Sequence, residues 1–172
     1  NWGTFCYLRD VESGEFWSTA YQPTLKPSKT YEVIFSEGRA EFRRRDHEIE
    51  THAEIVVSPE DDIELRRIRL TNCSGTTRTI DLTSYAEVVL ALPAADALHP
   101  AFSNLFVQTE IIRERQAILS TRRGRSQDEH APWAFHLMAV RGPHSGEISY
   151  ETDRLQFIGR GRTLAAPQAL DH

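Results

Sequence analysis

The chain has 172 residues and a formal net charge of −5, with 26% charged and 40% hydrophobic residues. That is the size and balance of one soluble globular domain, long enough to bury a core without metal or disulfide support. The acidic balance excludes a general attraction to nucleic acid or to an anionic membrane surface. No apolar run approaches the ~20 residues that span a bilayer, and the first residues lack the basic-then-apolar pattern of a signal peptide. Cys6 and Cys73 form neither a CxxC pair nor a spaced framework. Two reduced thiols are the simpler reading, with a single disulfide as the alternative. The opening Asn1-Trp2-Gly3, in place of a methionine, favours an excerpt from a longer polypeptide over a processed terminus.

Period-two alternation, which sends successive side chains to opposite faces of a sheet, recurs along the chain. It predicts strands over 4–9, 15–20, 30–35 and 40–45. Over 47–57, Ile49, Thr51, Ala53, Ile55 and Val57 share one face, and Glu48, Glu50, His52 and Glu54 share the other, as in a long half-buried strand. In the next strand Ile63 and Leu65 are in one phase and Ile68 and Leu70 in the other, which predicts a β-bulge near Arg66 and Arg67. Over 78–90 the alternation is again regular, and shorter strands are predicted over 105–110, 116–121, 133–140 and 147–151. Ser36-Glu37-Gly38 and Asn72-Cys73-Ser74-Gly75 supply turn residues that predict antiparallel joins between consecutive strands. Only 93–105 and 153–158 have room for more than a helical turn, and 122–132 has the composition of an exposed loop. Many short strands punctuated by turns predict an all-β protein: an antiparallel β-sandwich with one or two short helices, in a single domain over 1–172.

Several segments then resemble a known family when taken in order. They are Tyr7-Leu8-Arg9-Asp10 with Gly14-Glu15-Phe16-Trp17-Ser18; Ser58-Pro59-Glu60-Asp61-Asp62-Ile63-Glu64-Leu65-Arg66-Arg67; and Leu82-Thr83-Ser84-Tyr85-Ala86-Glu87-Val88-Val89-Leu90. Ala95-Asp96, His99-Pro100-Ala101-Phe102, Thr121-Arg122-Arg123-Gly124-Arg125-Ser126 and Phe157-Ile158-Gly159-Arg160-Gly161-Arg162 complete the set. Together they resemble the N-terminal β-sandwich of the family once called glycosyltransferase family 36 and now grouped with glycoside hydrolase family 94, most of all the form in cyclic β-1,2-glucan synthases. The resemblance implies a supersandwich of galactose-mutarotase-like type within a larger enzyme, where a separate (α/α)6 helical barrel carries the catalytic acid and phosphate attacks the anomeric carbon. It implies a β-glucan or oligosaccharide as ligand, with phosphate in the parent enzyme, and a parent anchored in the bacterial inner membrane with this segment on the cytoplasmic face, making no direct membrane contact. Relatives continue beyond the equivalent of residues 167–170 with further strands. The present chain is therefore expected to stop inside its own fold and to expose an edge able to pair with a second copy as a homodimer. Gly124 stands where the family pattern leads one to expect proline, which makes that loop more flexible.

Inverting cleavage of a glycosidic bond needs a sheltered acid with a shifted pKa, and no acid here stands out in that way. Asp61 and Asp62 fall in a turn, where acids are ordinarily solvated. Aromatic faces that stack on sugars are offered by Trp17, Trp133, Tyr21 and Tyr85, each of which can equally be core; Trp133, following a loop and a proline, is the better ligand candidate, and Trp17 the better core candidate. Arg122, Arg123 and Arg125 form a cationic loop whose guanidiniums suit phosphate or glucan hydroxyls, or salt bridges to another domain. Gly159-Arg160-Gly161-Arg162 lacks the Lys-Ser/Thr ending of a phosphate loop and reads as a glycine turn. Among the seven histidines, His130 and His136 are ~20 Å apart along a strand, too far to share an ion, so neither metal nor cofactor is expected. Arg43-Arg44-Arg45 beside Asp46 and Glu48 reads as a paired strand end, with no nucleic-acid role. The sequence thus points to a non-catalytic module of a carbohydrate-active enzyme. The alternatives are a free-standing carbohydrate-binding module and a mutarotase-like epimerase using His99 or His136 with Glu87.

Overall fold

The computed structural model describes residues 3–98, 104–124, 130–142 and 144–171. Its strands are β1 (Thr4–Asp10), β2 (Phe16–Ser18), β3 (Thr30–Ser36), β4 (Arg39–Asp46), β5 (Ile49–Val57), β6 (Glu64–Asn72), β7 (Ile80–Ala86), β8 (Val107–Ile112), β9 (Ala117–Arg122) and β10 (Trp133–Leu137). Two short helices, α1 (Pro93–Leu98) and α2 (Arg154–Ile158), accompany them. The strands form three sheets, ordered β2-β1-β7, β3-β4-β5-β6 and β10-β9-β8. The all-β, antiparallel architecture expected from the alternation is the one observed. Contacts divide the chain into two compact units, residues 4–85 with 154–171, and Gly3 with 86–153.

In the first unit β1 is covered on both faces. Tyr7 and Leu8, adjacent in sequence and so on opposite faces, are both 0% exposed. Leu8 and Trp17 pack on Ile49 of the four-stranded sheet, with Ile80 and Leu82 beside them. On the opposite face Tyr7 and Tyr85 pack with Phe157, Ile158, Leu164 and Leu170, and the Tyr7 hydroxyl donates to the Leu164 carbonyl at 2.8 Å. Cys6 is buried in β1, where burial pushes its thiol up to about 12 and leaves it unreactive at neutral pH. Cys73 is exposed, and both cysteines are free.

Two turns set the register of the four-stranded sheet. Gly38, at φ +70°, closes the β3–β4 hairpin as its sequence predicts. The β4–β5 hairpin closes through His47 and Glu48 at φ +47° and +64°, a type I′-like turn built without the usual Asn-Gly. Its strain is offset by several contacts. Glu48 pairs with Lys29 at 3.1 Å and with Arg45, the Glu48 carbonyl accepts from Cys73 N at 2.8 Å, and the His47 carbonyl accepts from Arg78 Nη1 at 3.2 Å. Inward from β4, Arg44 is fully buried; it donates to Asp46 at 2.6 and 2.8 Å and to the carbonyls of Ala20 and Lys26 at 2.7 and 3.3 Å, tying the loop after β2 to the sheet.

Three expectations are corrected. β5 and β6 pair without interruption from Ile49↔Asn72 to Val57↔Glu64, so there is no bulge at Arg66 and Arg67. β6 is an edge strand that is exposed over most of its length, and the sheet tolerates Leu65 on its open face while Ile68 turns inward opposite Ala53. The turn at Asn72 makes no hairpin, because it carries the chain from β6 to the other sheet, where β7 lies beside β1. Residues 147–151 form no strand. Of the helix expected over 93–105, α1 is present, and residues 99–103 lie outside the described residues.

Gly159 caps α2 at φ +88° with its amide on the Leu155 carbonyl at 2.8 Å, and a Cβ there would meet the Gln168 side chain at 2.7 Å. Gly161, at φ +73°, has open space around it. Gly161→Ala should therefore cost about 1 kcal/mol and Gly159→Ala about 3 kcal/mol, the difference being the steric component. Urea midpoints compared at constant m-value measure both.

Candidate functional site

The register of β3–β6 aligns three ranks of side chains on the face turned away from β1. They are Thr30, Arg45, Glu50 and Thr71; Glu32, Arg43, His52 and Arg69; and Ile34, Glu41, Glu54 and Arg67. Period-two alternation gives this face its charge. Glu41, only 5% exposed, accepts from His52 Nε2 at 2.8 Å and Arg43 Nη2 at 3.1 Å, and is ion-paired with Arg39 at 2.8 Å. Glu54, 9% exposed, accepts from Arg67 Nε at 2.6 Å and lies 3.6 Å from Arg39. Arg43 also pairs with Glu32 at 3.4 Å, and Arg45 pairs with Glu50 at 3.5 Å. The long arginine stems cover the carboxylates while their heads neutralise them. The His52 hydrogen bond, followed by the two arginines, holds the Glu41 carboxyl below its ordinary value. Arg67 does the same for Glu54, and Arg45 with Lys29 for Glu48.

Donor atoms of Glu41, His52 and Glu54 lie within 4.8 Å of one another, which is close enough for shared metal ligation. Both carboxylates are already held by guanidiniums, so a cation would have to displace them, and the arrangement is an ion-pair network. Beside it, the first two ranks, Arg45 excepted, line a groove of about 450 Å³ together with Tyr31, Arg44 and Thr51. Sequence reading missed this network. Glu41 faces Glu54, and Arg43 faces His52, only once the reversal is placed at His47-Glu48, and those residues carry no ordinary turn signal.

The residues singled out from the sequence fall in several places. Trp17 is 1% exposed in the core, with its ring 5.5 Å from His47, and so offers no face to a sugar. Tyr85 is likewise core, its ring centroid 4.8 Å from that of Phe157 in a tilted pair, and Tyr21 is exposed. Asp61 and Asp62 are exposed in their turn. Trp133 is 65% exposed on β10, and Phe135 and Leu137 are exposed on the same face of that strand. Arg122 donates to the Val89 carbonyl at 3.2 Å and lies over the Phe106 ring at 5.4 Å, while Arg123 is exposed. Because Trp133 pairs with Thr121, the alternation puts Arg122 on the opposite face of that sheet from Trp133. Arg125 and His99 lie outside the described residues. One acid was passed over as a candidate: Asp96 in α1 is 2% exposed, and its Oδ2 has no hydrogen-bond partner among the described residues.

The architecture is that of an all-β supersandwich. The family profile described as "Glycosyl hydrolase 94, supersandwich domain" matches residues 1–172, and the chain belongs to this family. It is 38% identical over 98% of its length to the cyclic beta-(1,2)-glucan synthase NdvB of Rhizobium meliloti (strain 1021). It is 31% identical over 98% of its length to the N,N'-diacetylchitobiose phosphorylase of Vibrio furnissii, and 26% identical over 90% to the solabiose phosphorylase of Paenibacillus borealis. The chain spans 6% of the synthase, 20% of the diacetylchitobiose phosphorylase and 19% of the solabiose phosphorylase.

Folding lowers the proton affinity of Glu41, Glu48 and Glu54 below the ordinary 4.5, so the unfolded chain binds protons first as the solution is acidified. The stability these groups contribute is present above pH 4.5 and is lost as pH falls through their folded values. Denaturation midpoints measured from pH 7 downward should fall below that point, and the fall should be shallower in Glu41→Gln, which has no proton to take up at that site.

Proposed function

We propose that this chain is a non-catalytic, carbohydrate-associated β-sandwich module of a cyclic β-1,2-glucan synthase or a glycoside phosphorylase, in which other domains carry out glucosyl transfer or phosphorolysis. The observation that carries the reading is the state of four of the five buried acids among the described residues, Asp96 being the exception. Asp10 pairs with Arg78, Asp46 with Arg44, Glu41 with Arg39 and Arg43, and Glu54 with Arg67. Inverting phosphorolysis needs the opposite condition, a sheltered carboxyl that keeps its proton for the leaving oxygen. Family membership and the names of the relatives support a β-linked glucan or oligosaccharide as ligand of the parent enzyme, with phosphate as co-substrate. In this reading Trp133 contacts the ligand, while Arg122, on the opposite face of that sheet, and Arg123 serve contacts to the ligand or the helical barrel. The parent sits in the bacterial inner membrane with this module in the cytoplasm. The open edges β3 and β6 support strand addition, within the parent or in a homodimer.

A free-standing carbohydrate-binding module is the second reading, favoured by the 65% exposure of Trp133 beside exposed Phe135. Two assays separate these from an enzyme. Incubated with β-1,2-glucan and phosphate, this chain should release no glucose 1-phosphate; release that Asp96→Asn abolishes would overturn the non-catalytic reading. Tryptophan fluorescence titrated with β-1,2-glucan oligosaccharides tests direct binding. The second reading expects saturable quenching that Trp133→Leu removes, and a flat titration at millimolar ligand eliminates it.

A further inference from the structure

The ion-paired face of β3–β6 is complete except at one position. Arg39, Arg43, Arg45, Arg67 and Arg69 stand on it against Glu32, Glu41, Glu50 and Glu54. Each of these charges except Arg69 has an opposite charge within 3.5 Å. Arg69 has no ion-pair partner among the described residues, and it lines the groove of about 450 Å³ directly opposite His52. In a chain of net charge −5, the surplus cation of this face is thus held in a concave, hydroxyl-lined setting.

We propose that this groove binds a hydroxyl-bearing oxyanion, a phosphoryl group either free as hydrogen phosphate or carried on a monosaccharide. Arg69 supplies the planar fork that grips two anionic oxygens. His52 sets the second requirement. Its Nε2 donates to the Glu41 carboxylate at 2.8 Å, so in the neutral ring Nδ1 is a hydrogen-bond acceptor, and it has no partner among the described residues. A fully deprotonated oxygen is repelled there, whereas a P–OH or a sugar hydroxyl is accepted. Thr30 and Thr71 add hydroxyls, and Glu32 and Glu50 on the remaining wall accept from sugar hydroxyls and disfavour a second anionic group. The volume suits a monosaccharide phosphate and falls in the range of small-ligand sites. This site is independent of the Trp133 reading, whose residues belong to the other unit.

The test is a heteronuclear NMR titration of this chain with inorganic phosphate, glucose 1-phosphate, glucose and sulfate, at ionic strength held constant with chloride. Saturable shifts at the Arg69 side chain and the Thr71 amide are expected with both phosphates, and the tighter of the two identifies the source of the phosphoryl group. Glucose should bind more weakly. Arg69→Ala should weaken phosphate binding about tenfold while leaving the denaturation midpoint unchanged, and Arg69→Lys should fall between the two. Sulfate, which has no proton to give to His52, should bind less tightly than phosphate. Shifts that Arg69→Ala leaves untouched, or shifts that added chloride reproduces, would overturn the site. Sulfate binding equal to that of phosphate would overturn the role given to His52.

Discussion

The first unit is organised by the burial of β1 on both faces. A strand with Tyr7 and Leu8 both at 0% exposure needs two covers, and a single second sheet supplies only one. The four-stranded sheet covers Leu8 through Ile49, and on the opposite face the segment that returns after the second unit places Leu164 over Tyr7, 157 residues away in sequence. The Tyr7 hydroxyl ends on a backbone carbonyl, so the contact fixes the path of that segment as well as its position. Gly159 and the turn after it are shaped by the same demand, because α2 must stop and reverse before Leu164 can reach the core.

Covering β1 fixes which face of the four-stranded sheet is buried, and the sheet then has to keep its register. A slip of one residue would exchange its two faces. Arg44 makes such a slip costly. It lies in the interior between Arg43 and Arg45, and a slip would part it from the two loop carbonyls and carry both it and its partner Asp46 out of the core. The outer ranks reinforce the same register through the pairs that cross strands, Arg43–Glu32, Arg45–Glu50, Arg39–Glu54 and Arg67–Glu54, which meet only when β3, β4, β5 and β6 are aligned as observed. Ion pairs of this kind contribute little individually to stability on an open surface, but in a network across four strands they distinguish one alignment from its neighbours.

Alternation made the strands legible in the sequence because one face of most of them is buried. It misled where that condition failed. β6 is an edge strand with little burial, so its change of phase produced no bulge. Residues 147–151 alternate without entering any sheet. The site residues follow the same rule. Trp133 was legible as an exposed aromatic because a loop and a proline precede it, and Trp17 is core because β2 pairs with β1 and sets it beside Leu8 against Ile49. The Glu41–His52–Glu54 cluster was out of reach, since its members meet only across a hairpin whose turn residues, His47 and Glu48, adopt left-handed geometry that propensity assigns to Asn and Gly.

The same satisfaction of charge separates scaffold from chemistry on this face. A carboxylate fixed by two guanidiniums is a poor proton donor, because the interactions that bury it also lower its affinity for a proton. Buried acids that hold sheet register are therefore unsuited to protonate a leaving oxygen, however sheltered they are. Reactivity or binding has to come from groups that the network leaves over. On the β3–β6 face the leftover group is a cation beside an imidazole, a combination suited to oxyanions and hydroxyls.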